Sequence, residues 1–181
     1  MTYKISLLAV LVSLALAGCT QSGSPSTSTG APTADASAAT QPENESQDAA
    51  AMAADPLLVV VHKNESCSCC KQWVEHLKQS GFHVKVYDVS NLGPIKERVG
   101  IPVAKGSCHT AQISGYFVEG HVPASDVRRL LAEHPDAKGL TVPGMPVGSP
   151  GMETPDGKVQ PYDVLLVARD GSTSVFAHHG G

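Results

Sequence analysis

The chain carries no block of lysine or arginine, and its 13 basic residues against 17 acidic ones leave a formal charge of -4. Binding to nucleic acid needs a concentrated basic footprint, so this balance argues against such a partner. There is also no long hydrophobic run. The longest apolar stretch, residues 5–17, stops well short of the roughly 20 residues that a membrane-spanning helix requires. Residues 21–54 lack aromatic side chains, Ile, Leu, Val, Lys and Arg, and consist mainly of Ser, Thr, Ala, Pro and Gln. Such a segment cannot bury enough apolar area to offset the entropy of ordering it. It reads as a flexible, mildly acidic tether reaching on the order of 30 Å on random-coil statistics. No internal repeat is present.

The apolar stretch fits the core of a secretory signal instead. It follows a single charge, Lys4, and ends in Leu16-Ala17-Gly18-Cys19, which resembles the lipobox of bacterial lipoproteins. Residues 1–18 are therefore expected to be a lipoprotein signal peptide, and Cys19 the lipidated first residue of a linker running to residue 55. Two or three acyl chains on Cys19 would hold the protein stably at a membrane. Thr20, standing where Asp signals inner-membrane retention in many bacteria, points to the periplasmic face of the outer membrane.

Function then lies in residues 56–181, and its most telling feature is Cys67-Ser68-Cys69-Cys70, three thiols in four positions. A continuous apolar run over 57–62 precedes it and suits a buried parallel strand. After it, Cys70, Trp73, Val74 and Leu77 fall on one helical face, and Gly81 stands at the C-cap. A strand feeding a helix through this turn puts the sulfurs at the helix N-terminus. Free N–H groups and the positive dipole end there favour thiolate, the reactive and metal-binding form. Residues 82–89 read as a second strand, and Pro94 opens a short helix that ends near Gly100. A hairpin is expected over 108–119, broken at Gly115, then a helix from about residue 123 through Val127, Leu130, Leu131 and His134. Residues 139–161, rich in Gly and Pro, read as one long loop. Strands over 162–168 and 172–178 close a hairpin around Asp170-Gly171. The order β, α, β, α, β, β, α is that of an α/β thioredoxin-like domain, a mixed sheet flanked by helices, here with an added C-terminal hairpin.

Several segments, taken in order, resemble those of the CopG family of exported bacterial copper-resistance proteins. They are Cys67-Ser68-Cys69-Cys70, Ser107-Cys108-His109-Thr110-Ala111, Gly115-Tyr116 through Glu119-Gly120-His121-Val122-Pro123, Pro143-Gly144-Met145-Pro146, and Gly148-Ser149-Pro150-Gly151-Met152-Glu153. The resemblance spans about residues 57–176. It implies a thioredoxin-like fold, copper bound at the clustered cysteines, and copper handling outside the cytoplasm with redox cycling.

The residue chemistry agrees. Cu(I) is soft and prefers thiolate and thioether ligands, so Cys67, Cys69, Cys70 and Cys108 form a coherent ligand set, with bridging thiolates relieving the crowding of a small multinuclear cluster. His109, His121, Met145 and Met152 are further candidate ligands. His62, at the end of the first strand, stands level with the two histidines, Trp73 reads as core, and His178 and His179 read as a solvated tail. Two other readings stay open. Cys67 and Cys70 alone satisfy C-x-x-C, the motif of thiol-disulfide oxidoreductases, although Cys69 gives such an enzyme no obvious advantage. A structural zinc site is the other, disfavoured because separated C-x-x-C pairs are its usual geometry. A copper-cycling role would need an electron donor or periplasmic copper-handling partners, which the sequence does not name.

Overall fold

A computed structural model of the chain describes residues 41–180, with side chains from residue 44. The proposed signal peptide, Cys19 and residues 21–40 of the tether lie outside the described residues. The elements are α1 (Gln41–Ala54), β1 (Leu58–Lys63), α2 (Ser68–Gln79), β2 (His83–Asp88), α3 (Gly93–Val99), β3 (His109–Ile113), β4 (Tyr116–Glu119), α4 (Ala124–Glu133), β5 (Ala137–Thr141), β6 (Tyr162–Ala168) and β7 (Thr173–His179). From β1 to α4 this is the expected order, and the C-terminal hairpin follows as β6 and β7.

The strands form one mixed sheet in the order β2-β1-β3-β4-β5-β6-β7. The pairs β1/β2 and β4/β5 are parallel and the remaining neighbours antiparallel. Because β1 is interior and covered on both faces, Val59, Val60 and Val61 are all buried, which is why this strand is apolar without alternation. On one face Val59, Val61, Ala111, Ile113, Val118, Leu140 and Val164 meet Trp73, Val74 and Leu77 of α2 and Val127 and Leu130 of α4. Cys70, Trp73, Val74 and Leu77 are the buried residues of α2, as their spacing predicts. Each apolar side chain among them contributes roughly 1.5–3 kcal/mol by leaving water. Trp73 also donates its indole N–H to the carbonyl of Val122 at 2.8 Å, locking α2 to the segment that enters α4.

Three expectations need correction. The segment read as a tether is helical over its last fourteen residues, α1. Its alanines favour helix, and it docks through charge where it has no aliphatic residues to bury. Asp48, nearly buried, accepts from Lys85 Nζ at 2.8 Å and from the Tyr87 hydroxyl at 3.3 Å, and Glu45 pairs with Arg98 at 2.7 Å. Asp48→Ala is therefore expected to free α1. Far-UV circular dichroism should lose the ellipticity of about one such helix, while unfolding of the rest of the domain stays where it was; an unchanged spectrum would show that other contacts hold it.

Next, the loop expected over 139–161 begins later, because Ala137–Thr141 is strand β5. Five residues interrupted by a glycine carry little strand signal of their own, and it is pairing with β4 and β6 that sets them. Gly139 is required there: a Cβ would stand 2.0 Å from the carbonyl oxygen of Phe117. Finally, His178 and His179 are not a tail but the end of β7, where His178 stays exposed and His179 is half-buried. His178 Nδ1 lies 2.6 Å from Asp163, and His179 Nε2 lies 2.6 Å from Asp126 at the start of α4.

Candidate metal centre

The site is built where β1 hands over to α2. Asn64 caps the turn: its side-chain oxygen accepts from the Ser66 amide at 3.0 Å and hydroxyl at 2.7 Å, and its carbonyl accepts from the Cys67 amide at 3.1 Å. Cys67 emerges extended (φ -72°, ψ 100°) as the N-cap of α2, and its sulfur accepts the Cys70 amide at 3.3 Å, standing where a Ser or Asp oxygen commonly caps. One helical turn separates it from Cys70. Cys67 and Cys70 are joined as a disulfide with Cα atoms 5.4 Å apart, while Cys69 and Cys108 are free. Cys69 Sγ sits 3.5 Å from Cys67 Sγ on the partly exposed side, whereas Cys70 is fully buried.

Cys108 reaches this turn from the neighbouring strand. Register pairs His109 with Lys63, so the residue before β3 arrives beside the residues that follow β1. Cys70 Sγ lies 3.7 Å from the Cys108 carbonyl, and the sulfurs of Cys67, Cys69, Cys70 and Cys108 all fall within 4.8 Å of one another. A second set shares Cys108: its sulfur is 3.0 Å from His121 Nε2 and 3.3 Å from His109 Nδ1, and these three also lie within 4.8 Å. Cys108 thus joins a sulfur quartet to an imidazole pair.

Hydrogen bonding assigns the His121 tautomer. Its Nδ1 lies 2.8 Å from the Pro150 carbonyl, an acceptor only, so Nδ1 carries the hydrogen and Nε2 presents a lone pair to Cys108. Burial depresses the His121 pKa. Burial, then the neighbouring charges of His121 and Lys96, push His109 down to about 3, so both rings are neutral at pH 7. The His109 ring is completely buried against Trp73, with ring centres 4.3 Å apart, and its Nε2 has no hydrogen-bond partner. Burial, followed by the nearby Cys69, pushes the Cys108 thiol up to about 11. Neutral imidazoles and closely spaced sulfurs form a donor set suited to a soft cation, whose charge would offset what disfavours the Cys108 thiolate.

The Gly/Pro loop forms the site's far wall. Ser107 Oγ donates to the Gly144 carbonyl, and the Gly144 amide reaches the Gly106 carbonyl at 3.3 Å. At the loop's other end Gly151 (φ +85°) packs so closely on α2 that a Cβ would lie 2.7 Å from the Cys69 carbonyl and 2.8 Å from the Trp73 amide. Met145, about half exposed, and Met152, half-buried, are residues of this loop.

The structure therefore brings together Cys67, Cys69, Cys70, Cys108, His109 and His121. His62 lies elsewhere, on the opposite face of β1, stacked on Tyr87 at 5.2 Å. Sequence reasoning gave no role to Pro150, whose carbonyl orients His121, nor to Glu119, fully buried behind Cys108. A carboxylate ending the otherwise apolar strand Tyr116-Phe117-Val118-Glu119 was the available signal for the latter.

A mixed α/β domain that gathers four sulfurs and two neutral imidazoles at one helix N-terminus belongs to the class of proteins equipped for soft-metal or thiol chemistry. The family described as "Protein of unknown function, DUF411" matches residues 105–152. Two solved structures, named "Copper resistance protein copG", Form 1 and Form 2, are each 46% identical to this chain. Form 1 superposes with a TM-score of 0.66 over 70% of this chain and 100% of its own, Form 2 with 0.65 over 69% and 99%. No curated protein matches. The chain belongs to the CopG family. Among the described residues no helix is long and apolar enough to cross a membrane.

Proposed function

We propose that this protein binds copper and acts in copper resistance on the periplasmic face of a bacterial membrane, anchored through lipidated Cys19. The observation that carries the reading is the convergence of Cys67, Cys69, Cys70 and Cys108 within 4.8 Å. Reduced, these residues supply four soft ligands, with bridging thiolates suited to more than one Cu(I) ion. His121 Nε2 and His109 are additional donors that share Cys108, and Met145 and Met152 offer thioethers from the covering loop. The 46% identity to proteins named for copper resistance supports the choice of copper over zinc, as does the crowding of three sulfurs into one turn. Thr20 supports the outer over the inner membrane.

The Cys67–Cys70 bond is the observation that favours a second, alternative reading of the same site. Two electrons and two protons from a donor convert it to two thiols; returning them re-forms the bond, so the pair can serve thiol-disulfide exchange or accompany interconversion of Cu(II) and Cu(I). Periplasmic electron donors or copper-handling proteins would then be the partners. Chain purified reduced from the periplasm should carry copper, with a copper-edge X-ray spectrum dominated by sulfur, no reductase activity on insulin disulfides, and an intact mass that includes acyl groups on Cys19. Brisk insulin reduction without metal would replace the copper reading with the oxidoreductase one, and an unacylated mass would remove the anchor.

A further inference from the structure

Glu119 is a fully buried carboxylate on the face of the sheet away from α2, and nothing in the copper reading uses it. Its Oε1 accepts from the Ser107 amide and from Lys96 Nζ, and its Oε2 accepts from the Thr110 hydroxyl at 2.7 Å. Lys96 Nζ in turn donates to Thr110 Oγ1 at 3.1 Å. The carboxylate thus grips the chain on both sides of Cys108 and His109, at residues 107 and 110. Ser107 extends the same chain of contacts: its hydroxyl donates to Gly144 at the start of the covering loop. Burying an ion pair costs about as much as it returns, and an apolar pair of similar volume would hold the sheet as well. Fold stability is thus a poor reason for it. What an apolar pair cannot do is bind a backbone amide at one required position.

We propose that Glu119 is a positioning residue, whose carboxylate, acting through the Ser107 amide from the far side of the sheet, sets where the Cys108 sulfur stands against the other three. The proposal rests on the reading of Cys108 as a copper ligand for its consequence, but not for its geometry, so two measurements separate them. In reduced, metal-free full-length chain, the alkylation rates of Cys108 and Cys69 by iodoacetamide are compared by peptide mass spectrometry. Glu119→Gln makes the charge-assisted bond from the Ser107 amide a neutral one of about half the strength, and should raise the Cys108 to Cys69 ratio several-fold, up to about tenfold. It should also move the Ser107 amide proton upfield in NMR spectra. General loosening would instead raise both rates and leave their ratio alone. Lys96→Met/Glu119→Gln removes both charges, so it avoids a stranded ammonium if the single variant fails to fold, and it should show the same rise. In the same variants the sulfur count per copper at the copper edge should fall. An unchanged ratio and amide shift in a folded variant overturn the proposal, and so does failure of both variants to fold, which would assign Glu119 to stability. Wild-type chain that takes up no copper would overturn the copper reading and leave the alkylation result to decide the positioning role.

Discussion

Cys108→Ser is expected to cost this protein most of its copper. Cys108 is the one residue common to the sulfur quartet and to the set with His109 and His121, so its sulfur is the junction through which imidazole and thiolate donors meet. Serine keeps the size but offers a hard oxygen to a soft cation, and a hydroxyl remains protonated where a thiol can ionise. Replacement of an outer partner in a metal site already lowers affinity about 10–100-fold, and removing a shared ligand should cost more. In competition with a Cu(I) chelator, wild-type chain should hold its copper at chelator concentrations that strip Cys108→Ser, and the copper-to-protein ratio of the variant should fall. The fold should survive, because Cys108 is half-buried and contributes no core contact comparable with those of Trp73 or Leu77. Full copper loading in Cys108→Ser would remove this residue from the site and reduce the quartet to the three sulfurs of one turn.

Acid should destabilise the metal-free protein through His109. Burial holds its folded-state pKa at about 3 against an ordinary value of 6.5. Between those values the unfolded chain binds a proton that the folded chain does not, so stability rises with pH across that window. The contribution is fully present above pH 6.5 and drains away as the pH falls toward 3. A full shift of that size corresponds to roughly 4–5 kcal/mol at most, a large share of the 5–15 kcal/mol that holds a typical domain. His121, depressed in the same direction by burial, adds to the effect. Urea unfolding at a series of pH values should show His109→Gln, measured against wild type, losing the part of the slope that one proton supplies. Equal slopes in the two proteins would mean that His109 is solvated or charged in the folded state. Bound copper should steepen the wild-type curve, since a metal on neutral imidazole and thiolate keeps the folded chain from taking up protons that the unfolded chain binds.

How much of this was readable in advance differs from element to element. Helix α2 was legible in detail because Cys70, Trp73, Val74 and Leu77 repeat at helical spacing and the preceding strand is apolar; local periodicity and burial point the same way. Strand β5 was not, because Ala137–Thr141 has no pattern apart from the partners that β4 and β6 provide. Helix α1 was missed for the converse reason. Its composition lacks a buried aliphatic face, yet Glu45 and Asp48 find Arg98 and Lys85, residues whose positions depend on the rest of the fold. The end of β7 was hidden similarly, since His178 and His179 look like a tail until Asp163 and Asp126 are known to be opposite them.

By itself the order of amino acids determined the sulfur content of the site and the placing of three sulfurs at one helix start, because covalent spacing and helix geometry act over only a few residues. It also determined the family, through motifs that survive as strings. That Cys108 arrives beside those sulfurs, that His121 turns a lone pair toward it, and that Glu119 braces it from behind were matters of tertiary structure. Those relations run between residues 9 to 41 positions apart. Only the register of β1, β3 and β4 converts such separations into contact distances.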